Sequence, residues 1–161
     1  MIPKEQLKEL FDYDADGWLI RRKSGARVKC SSTAQHRYLR VSVSGKPEYL
    51  HRIIYAWHHG NDFVAVDHID GDRMNNRIEN LRSSTQQQNC FNRKKHSTGK
   101  NLYKNVYLVK PQNPNLKQTW TVSVMSFGKR KYLGLYDDLD LAELVAIEAR
   151  NKFHGAFARH F

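Results

Sequence analysis

Val66-Asp67-His68-Ile69-Asp70-Gly71-Asp72, followed closely by Asn75-Asn76-Arg77-Ile78-Glu79-Asn80-Leu81-Arg82, is the stretch on which the fold of this sequence turns. Phe63 to Val66 is a short apolar run of strand-forming residues that leads straight into Asp67-His68. A polar loop then extends from Ile69 to Asn76, and its Gly, Asp and Asn residues suit tight turns. Ser83-Ser84-Thr85 supplies capping side chains for a helix predicted from Gln86 to Lys95. Side chains alternate along a strand, so the adjacent Asp67 and His68 point to opposite sides and can take different tasks.

Those residue types suit the hydrolysis of a phosphodiester. That reaction needs a base for water, a cation for the phosphoryl oxygens and stabilisation of the leaving oxygen. The imidazole of His68 accepts a proton near neutral pH. A hard divalent ion such as Mg²⁺ takes carboxylate and amide oxygens. Asp67 offers the first, and Gln86, Gln87, Gln88, Asn89 and Asn92 on the helix offer the second.

Upstream, Pro3 suits the first turn of a helix over residues 3–11, with Leu7, Leu10 and Phe11 on one face. Strands are expected over 17–22, 38–43 and 46–50, the last two joined at Ser44-Gly45. A helix runs from His51 to His59, with Ile53, Ile54 and Trp57 at helical spacing and Gly60-Asn61 as its stop. Downstream, residues 93–101 are polar and basic with no apolar period, as in a linker. The period then changes to three strands, over 104–109, 118–126 and 129–136, with turns at 111–115 and 126–128. A last helix starts near Asp138; Leu141, Leu144, Val145 and Ala149 form its expected apolar stripe, and Asp137, Asp138 and Asp140 favour its N-terminal dipole. Three strands and one helix suffice to close a small α+β core.

The bulk composition agrees with a globular protein that meets a polyanion. The 161 residues carry 27 Lys and Arg against 16 Asp and Glu, a net charge of +11. Residues 1–20 hold −3, 21–60 hold +8, 61–100 hold +2 and 101–161 hold +4, so the positive charge is spread over structured segments. Such a field draws nucleic acid. Two cysteines, Cys30 and Cys90, are too few for a disulfide framework or a zinc knuckle. No apolar run reaches the roughly 18 residues of a membrane span, and no secretion signal opens the chain. A cytoplasmic protein with reduced thiols and no membrane partner is expected.

With Leu50-His51-Arg52-Ile53-Ile54-Tyr55-Ala56-Trp57 upstream and Gln88-Asn89 downstream, the two opening segments resemble the HNH homing endonucleases of phage type over residues 48–95. The resemblance implies a ββα-metal (His-Me finger) unit: a strand pair and a helix around one divalent ion. It implies Asp67 as a metal ligand, His68 as general base, Asn80 as the residue tying the loop, and Asn89 as the ligand from the helix. Many members carry His at the last position; Asn89 makes this an H-N-N variant, and an amide oxygen favours Mg²⁺ or Mn²⁺ over Zn²⁺. His51 either touches phosphate beside the site or packs within its helix, and Asn92 is a further candidate there. His96 is expected to face DNA or solvent at the helix end.

Tyr103-Lys104-Asn105-Val106-Tyr107, Gln118 to Val124, Lys129 to Tyr136 and the ending Phe153-His154-Gly155-Ala156-Phe157-Ala158 resemble the Apetala-2/ethylene-response-factor DNA-binding domain over residues 102–161. There a three-stranded antiparallel sheet backed by one helix lies in the major groove. Lys117, Trp120, Lys129, Arg130 and Lys131 are the positions carried over, Trp120 being equally suited to the core. The sheet is poorer in arginine than plant members, which points to anchoring on phosphate more than base readout. The expected organisation is an HNH domain over 1–95 with its core at about 63–95, a basic linker over 96–101, and the second DNA-binding domain over 102–161. His51, Arg52, Arg73, Arg93, Lys94 and Lys95 are the basic positions expected to meet DNA in the first domain. The implied activity is nicking of double-stranded DNA by a monomer, a double-strand cut requiring a dimer. The alternative is a DNA-binding regulator on an inactive nuclease fold. If phage-encoded, the protein acts in the host cytoplasm.

Overall fold

A computed structural model describes residues 2–32, 38–94, 103–111 and 117–160. The chain divides into two compact units, Met1–Asn89 and Cys90–Phe161. The expected linker, with Lys95 and His96, lies outside the described residues.

The first unit builds three separate antiparallel strand pairs around helix α2 (Leu50–His59). Helix α1 (Lys4–Leu10) runs directly into β1 (Phe11–Asp14), which pairs with β2 (Trp18–Arg21). Strand β1 was not expected. Its alternation of Phe11 and Tyr13 with two aspartates continues the apolar spacing of α1, so the sequence reads on as helix. Strands β3 (Arg40–Val43) and β4 (Lys46–Tyr49) form a hairpin whose turn residues Ser44 and Gly45 both have positive φ, 51° and 78°. That double left-handed turn matches the twist of the strands it joins. Ile53, Ile54 and Ala56 turn one face of α2 onto Leu7, Phe11, Leu19, Val41 and Leu50. Gly60, at φ 88°, ends the helix with its N–H on the Ala56 carbonyl.

Strand β5 (Ala65–His68) pairs with β6 (Leu81–Ser84) in the register Asp67 to Arg82 and His68 to Leu81. Val66 and Leu81 complete the core beneath them. A short 3₁₀ turn, Ile78–Asn80, feeds β6, and helix α3 (Gln86–Phe91) follows it. Its start is a reciprocal cap: the Gln88 N–H donates to Thr85 Oγ1 at 3.2 Å and the Thr85 N–H donates to Gln88 Oε1 at 2.8 Å. Helix α3 ends at Phe91, four residues before the expected stop. The Lys104 ammonium takes the Phe91 and Arg93 carbonyls at 3.1 and 2.7 Å, acceptors that a continuing helix would have used.

The second unit is one antiparallel sheet of β7 (Val106–Val109), β8 (Thr119–Ser126) and β9 (Lys129–Tyr136) in that order, covered by helix α4 (Leu139–His154). Asp138 caps α4 by accepting from the backbone of Asp140 and Leu141. The expected apolar stripe holds at Val145 and Ala149 and is corrected at Leu141 and Leu144. Leu141 and Leu144 are about half exposed, while Ala142, Ala146 and Ala149 face the sheet. Small side chains let the helix lie close on β8, and hydrophobicity alone picked the larger residues beside them. No helix among the described residues is long and apolar enough to cross a membrane.

Candidate active site

Strand pairing brings Asp67 opposite Arg82, and this sets the carboxylate's surroundings. Asp67 is buried, and its Oδ2 accepts from Arg82 Nε at 3.0 Å and Nη2 at 2.8 Å. Both donors converge on that one oxygen, which anchors it and places a guanidinium charge beside the carboxylate. His68 follows on the opposite side of the strand, 3 % exposed. Burial pushes its imidazole below the ordinary histidine range, against the opposing pull of the Asn76 hydrogen bond and of Asp70, Asp67 and Asp72. A buried, neutral imidazole at neutral pH retains a lone pair for a proton.

The loop after β5 is held by its own amides. Asn80 Oδ1 accepts from the Asp70 N–H at 3.0 Å, and its Nδ2 donates to Asp70 Oδ1 at 2.9 Å and to the Asn75 carbonyl at 2.8 Å. Asn75 Nδ2 donates to Asp70 Oδ2 at 2.7 Å. Burial by itself would raise the Asp70 carboxyl; the bonds from Asn75, the Asp72 backbone and Asn80 outweigh it and hold the group below its ordinary value. Asn76, buried, places Oδ1 3.1 Å from His68 Nε2.

His51 of α2 joins this centre from the other side. Its ring lies 4.9 Å from that of His68, 5.1 Å from Tyr38 and 5.7 Å from Tyr49, centroid to centroid. Burial, then the neighbouring His68 and Arg52 charges, push it down to about 3, so it is neutral at physiological pH. Two cations stack on the outer aromatics: Arg73 lies 4.7 Å from the Tyr38 ring and Arg40 4.8 Å from that of Tyr49.

Asn89 sits half-buried on α3, its N–H on the Thr85 carbonyl at 3.0 Å. Carboxylate and amide oxygens, as on Asp67 and Asn89, are donors for a hard divalent ion. Among the described residues no three His, Cys, Asp or Glu side chains converge as a metal cluster, so an ion here would need amide, water or phosphate oxygens beside the Asp67 carboxylate.

The remaining expected contacts are distributed. Arg52 is half-buried, its guanidinium 5.5 Å from the Phe63 ring, and its Nε is buried with no hydrogen-bond partner. Arg73, Arg93 and Lys94 are exposed, and Asn92 is buried within the second unit. In the sheet, opposed residues share a face, so Arg130, paired with Met125, lies on the face away from α4 together with Thr121 and Leu135. Lys131 turns the other way and stacks 4.2 Å from the Phe153 ring of α4. Lys117 is exposed and paired with Asp137 at 2.9 Å. Lys129 is exposed at the hairpin end. Of the two roles expected for Trp120, the packing agrees with the core one: it lies, partly buried, on the Val106, Val122 and Ala142 core beneath α4. Sequence reasoning passed over Asn76, Arg82 and Tyr38. Arg82 was findable as the opposite charge across a predicted strand pair; Asn76 and Tyr38 reach the site only through the tertiary fold.

Residues 48–90 match the HNH endonuclease family. The matched segment spans α2, β5, the amide-held loop, β6 and nearly all of α3. Protein 3.8 of Escherichia phage T7 is 29% identical over 114 residues, which is 67% of this chain and 88% of that protein. A solved structure described as DNA binding and cleavage by the HNH homing endonuclease I-HmuI is 30% identical with a TM-score of 0.40. That likeness covers 50% of this chain, and the chain spans about half the length of that nuclease, 49%. The HNH segment therefore holds both Asp67 and His68, the Asn80 loop and Asn89.

Proposed function

We propose that this protein is a metal-dependent DNA endonuclease that nicks one strand per active site. The observation that carries the reading is a buried Asp67-His68 pair, on a strand within the HNH segment, with Asp67 fixed by Arg82 and His68 adjoining Asn76. His68 takes the proton of the attacking water. Asp67 and Asn89 would hold one divalent ion, Mg²⁺ or Mn²⁺, which when bound neutralises charge developing on the phosphoryl oxygens. Asn80 keeps the loop after His68 in one conformation, and Arg82 anchors Oδ2 of the Asp67 carboxylate. His51, Arg52 and Arg73 contact the backbone near the cut. Arg93, Lys94 and Lys95 extend the basic track.

The Apetala-2-like reading of the second unit is part of the proposal: its sheet anchors the duplex through Arg130 and the lysines around it. That unit supplies 13 Lys and Arg against 5 Asp and Glu, so it carries most of the attraction for phosphate. The T7 relative supports a phage setting, and with it action in the host cytoplasm.

Supercoiled plasmid with Mg²⁺ tests the reading. The wild-type chain should yield open circles, and His68→Ala should lower the rate about 100- to 10,000-fold while DNA binding is retained. Equal, undetectable cleavage by both proteins with intact binding would instead favour a DNA-binding regulator on an inactive nuclease fold.

A further inference from the structure

A histidine ring serves as a base through one nitrogen only, and the hydrogen bond at the other nitrogen decides which. In this site the partner is Asn76. Its amide could be oriented either way, but the Nδ2 group donates to the Met74 carbonyl at 3.1 Å, which commits Oδ1 to His68 Nε2. An amide oxygen only accepts, so His68 Nε2 must carry the hydrogen.

Asn76 is in turn held from a distant part of the sequence. Gly17, in the turn between β1 and β2 at φ +86°, lies so close that a Cβ there would stand 2.7 Å from both the Asn76 carbonyl carbon and the Arg77 nitrogen. Tyr13 Oη accepts from the Ile78 N–H at 2.9 Å, and Asp16 pairs with Arg77 at 3.2 Å. Three contacts from one hairpin therefore fix the backbone on either side of Asn76.

We propose that Asn76, seated by the β1–β2 hairpin, is the positioning residue that holds His68 as its Nε2–H tautomer and so makes Nδ1 the proton-accepting atom. This rests on His68 being the base of the nuclease proposed above. Water gives one proton to Nδ1 and its oxygen bonds to phosphorus. The bond from phosphorus to the leaving oxygen breaks with its electron pair, and that oxygen takes a proton from solvent. Asn76, 3 % exposed, acts through His68.

Nitrogen-15 spectra of the histidine rings in the full chain read the tautomer directly, with the His68 signals identified by their loss in His68→Gln. A pyrrole-type Nε2 and a pyridine-type Nδ1 are expected in the wild type; the reverse pattern overturns the proposal whatever the variants do. Asn76→Leu should give an averaged, mixed-tautomer signature and a kcat for nicking lower by about 10- to 100-fold at unchanged KM. Asn76→Asp, which restores an acceptor, should restore the Nε2–H signature. Gly17→Ala, which displaces residues 76 and 77 from outside the site, should reproduce the mixed signature if Asn76→Leu does not fold. A wild-type-like spectrum in a folded Asn76→Leu or Gly17→Ala protein also overturns it. Absence of nicking by the wild type would sink the nuclease reading and leave the tautomer result standing by itself.

Discussion

His51 shows how one residue ties stability to the chemistry of its neighbour. It is 6 % exposed and faces His68, Tyr38, Tyr49 and the Arg52 charge. Its folded-state pKa of about 3 lies below the 6.5 of an unfolded histidine, so the unfolded chain binds the proton first as pH falls. The contribution is complete above pH 6.5 and is lost on descent toward 3. At up to about 1.4 kcal/mol per pH unit, with the unfolded histidine half protonated at the start, the step from pH 6.5 to 4.5 should cost about 2 kcal/mol. Urea unfolding at both pH values should show that loss in the wild type and a smaller one in His51→Phe; identical slopes would mean another group governs the acid limb. Arg82 teaches the complementary lesson. Removing it takes a bonded guanidinium from a buried carboxylate, so Arg82→Leu should destabilise the fold by about 3–5 kcal/mol in thermal or urea melts. At this scale the burial of Asp67 and His68 on one strand and the tie of the loop by Asn80 were legible, because each lies within a short run of spaced residue types, and Asn89 stands as a candidate on the same ground. Asn76 was not: its meaning depends on a carbonyl two residues back and a glycine 59 positions upstream.

Among the elements, those with one periodicity and a clear stop were readable. Helix α2 announces itself through Ile53, Ile54 and Gly60, and the β8–β9 hairpin through its turn at Phe127-Gly128, where both residues have positive φ. Helix α4 was readable in extent but not in rotation, because closeness to a sheet favours Ala142, Ala146 and Ala149 over the leucines flanking them. The same sheet separates two roles that sequence could not. Trp120 supports the core, so Trp120→Ala should cost about 3–5 kcal/mol of stability of the second unit, with DNA affinity little changed below its melting point. Arg130→Gln should do the opposite, weakening binding with no shift in melting temperature. Fluorescence anisotropy on a labelled duplex, paired with thermal melts, checks both; a stable Trp120→Ala protein that has lost DNA would return Trp120 to the contact surface. Lys117→Gln should matter less than Arg130→Gln, since Asp137 already engages that ammonium.

Across the whole molecule the charge is unequal, with the second unit holding +8 of the +11. Affinity for DNA of arbitrary sequence should therefore fall linearly with the logarithm of salt concentration, each neutralised phosphate adding about 0.9 to the slope. Titrations between low and physiological salt should show a slope of several units, reduced by about one in Arg130→Gln; a flat dependence would exclude phosphate as the main contact.

Lys104 carries a consequence for how the second unit is joined to other chain. Its one ammonium holds the carbonyls of Phe91, Arg93 and Arg159, at 3.1, 2.7 and 3.0 Å, so polypeptide from the two extremes of the unit meets on a single side chain. The unit is entered and left at one corner. A module with a doorway of that kind can be spliced into a surface loop of an unrelated protein without stretching its host.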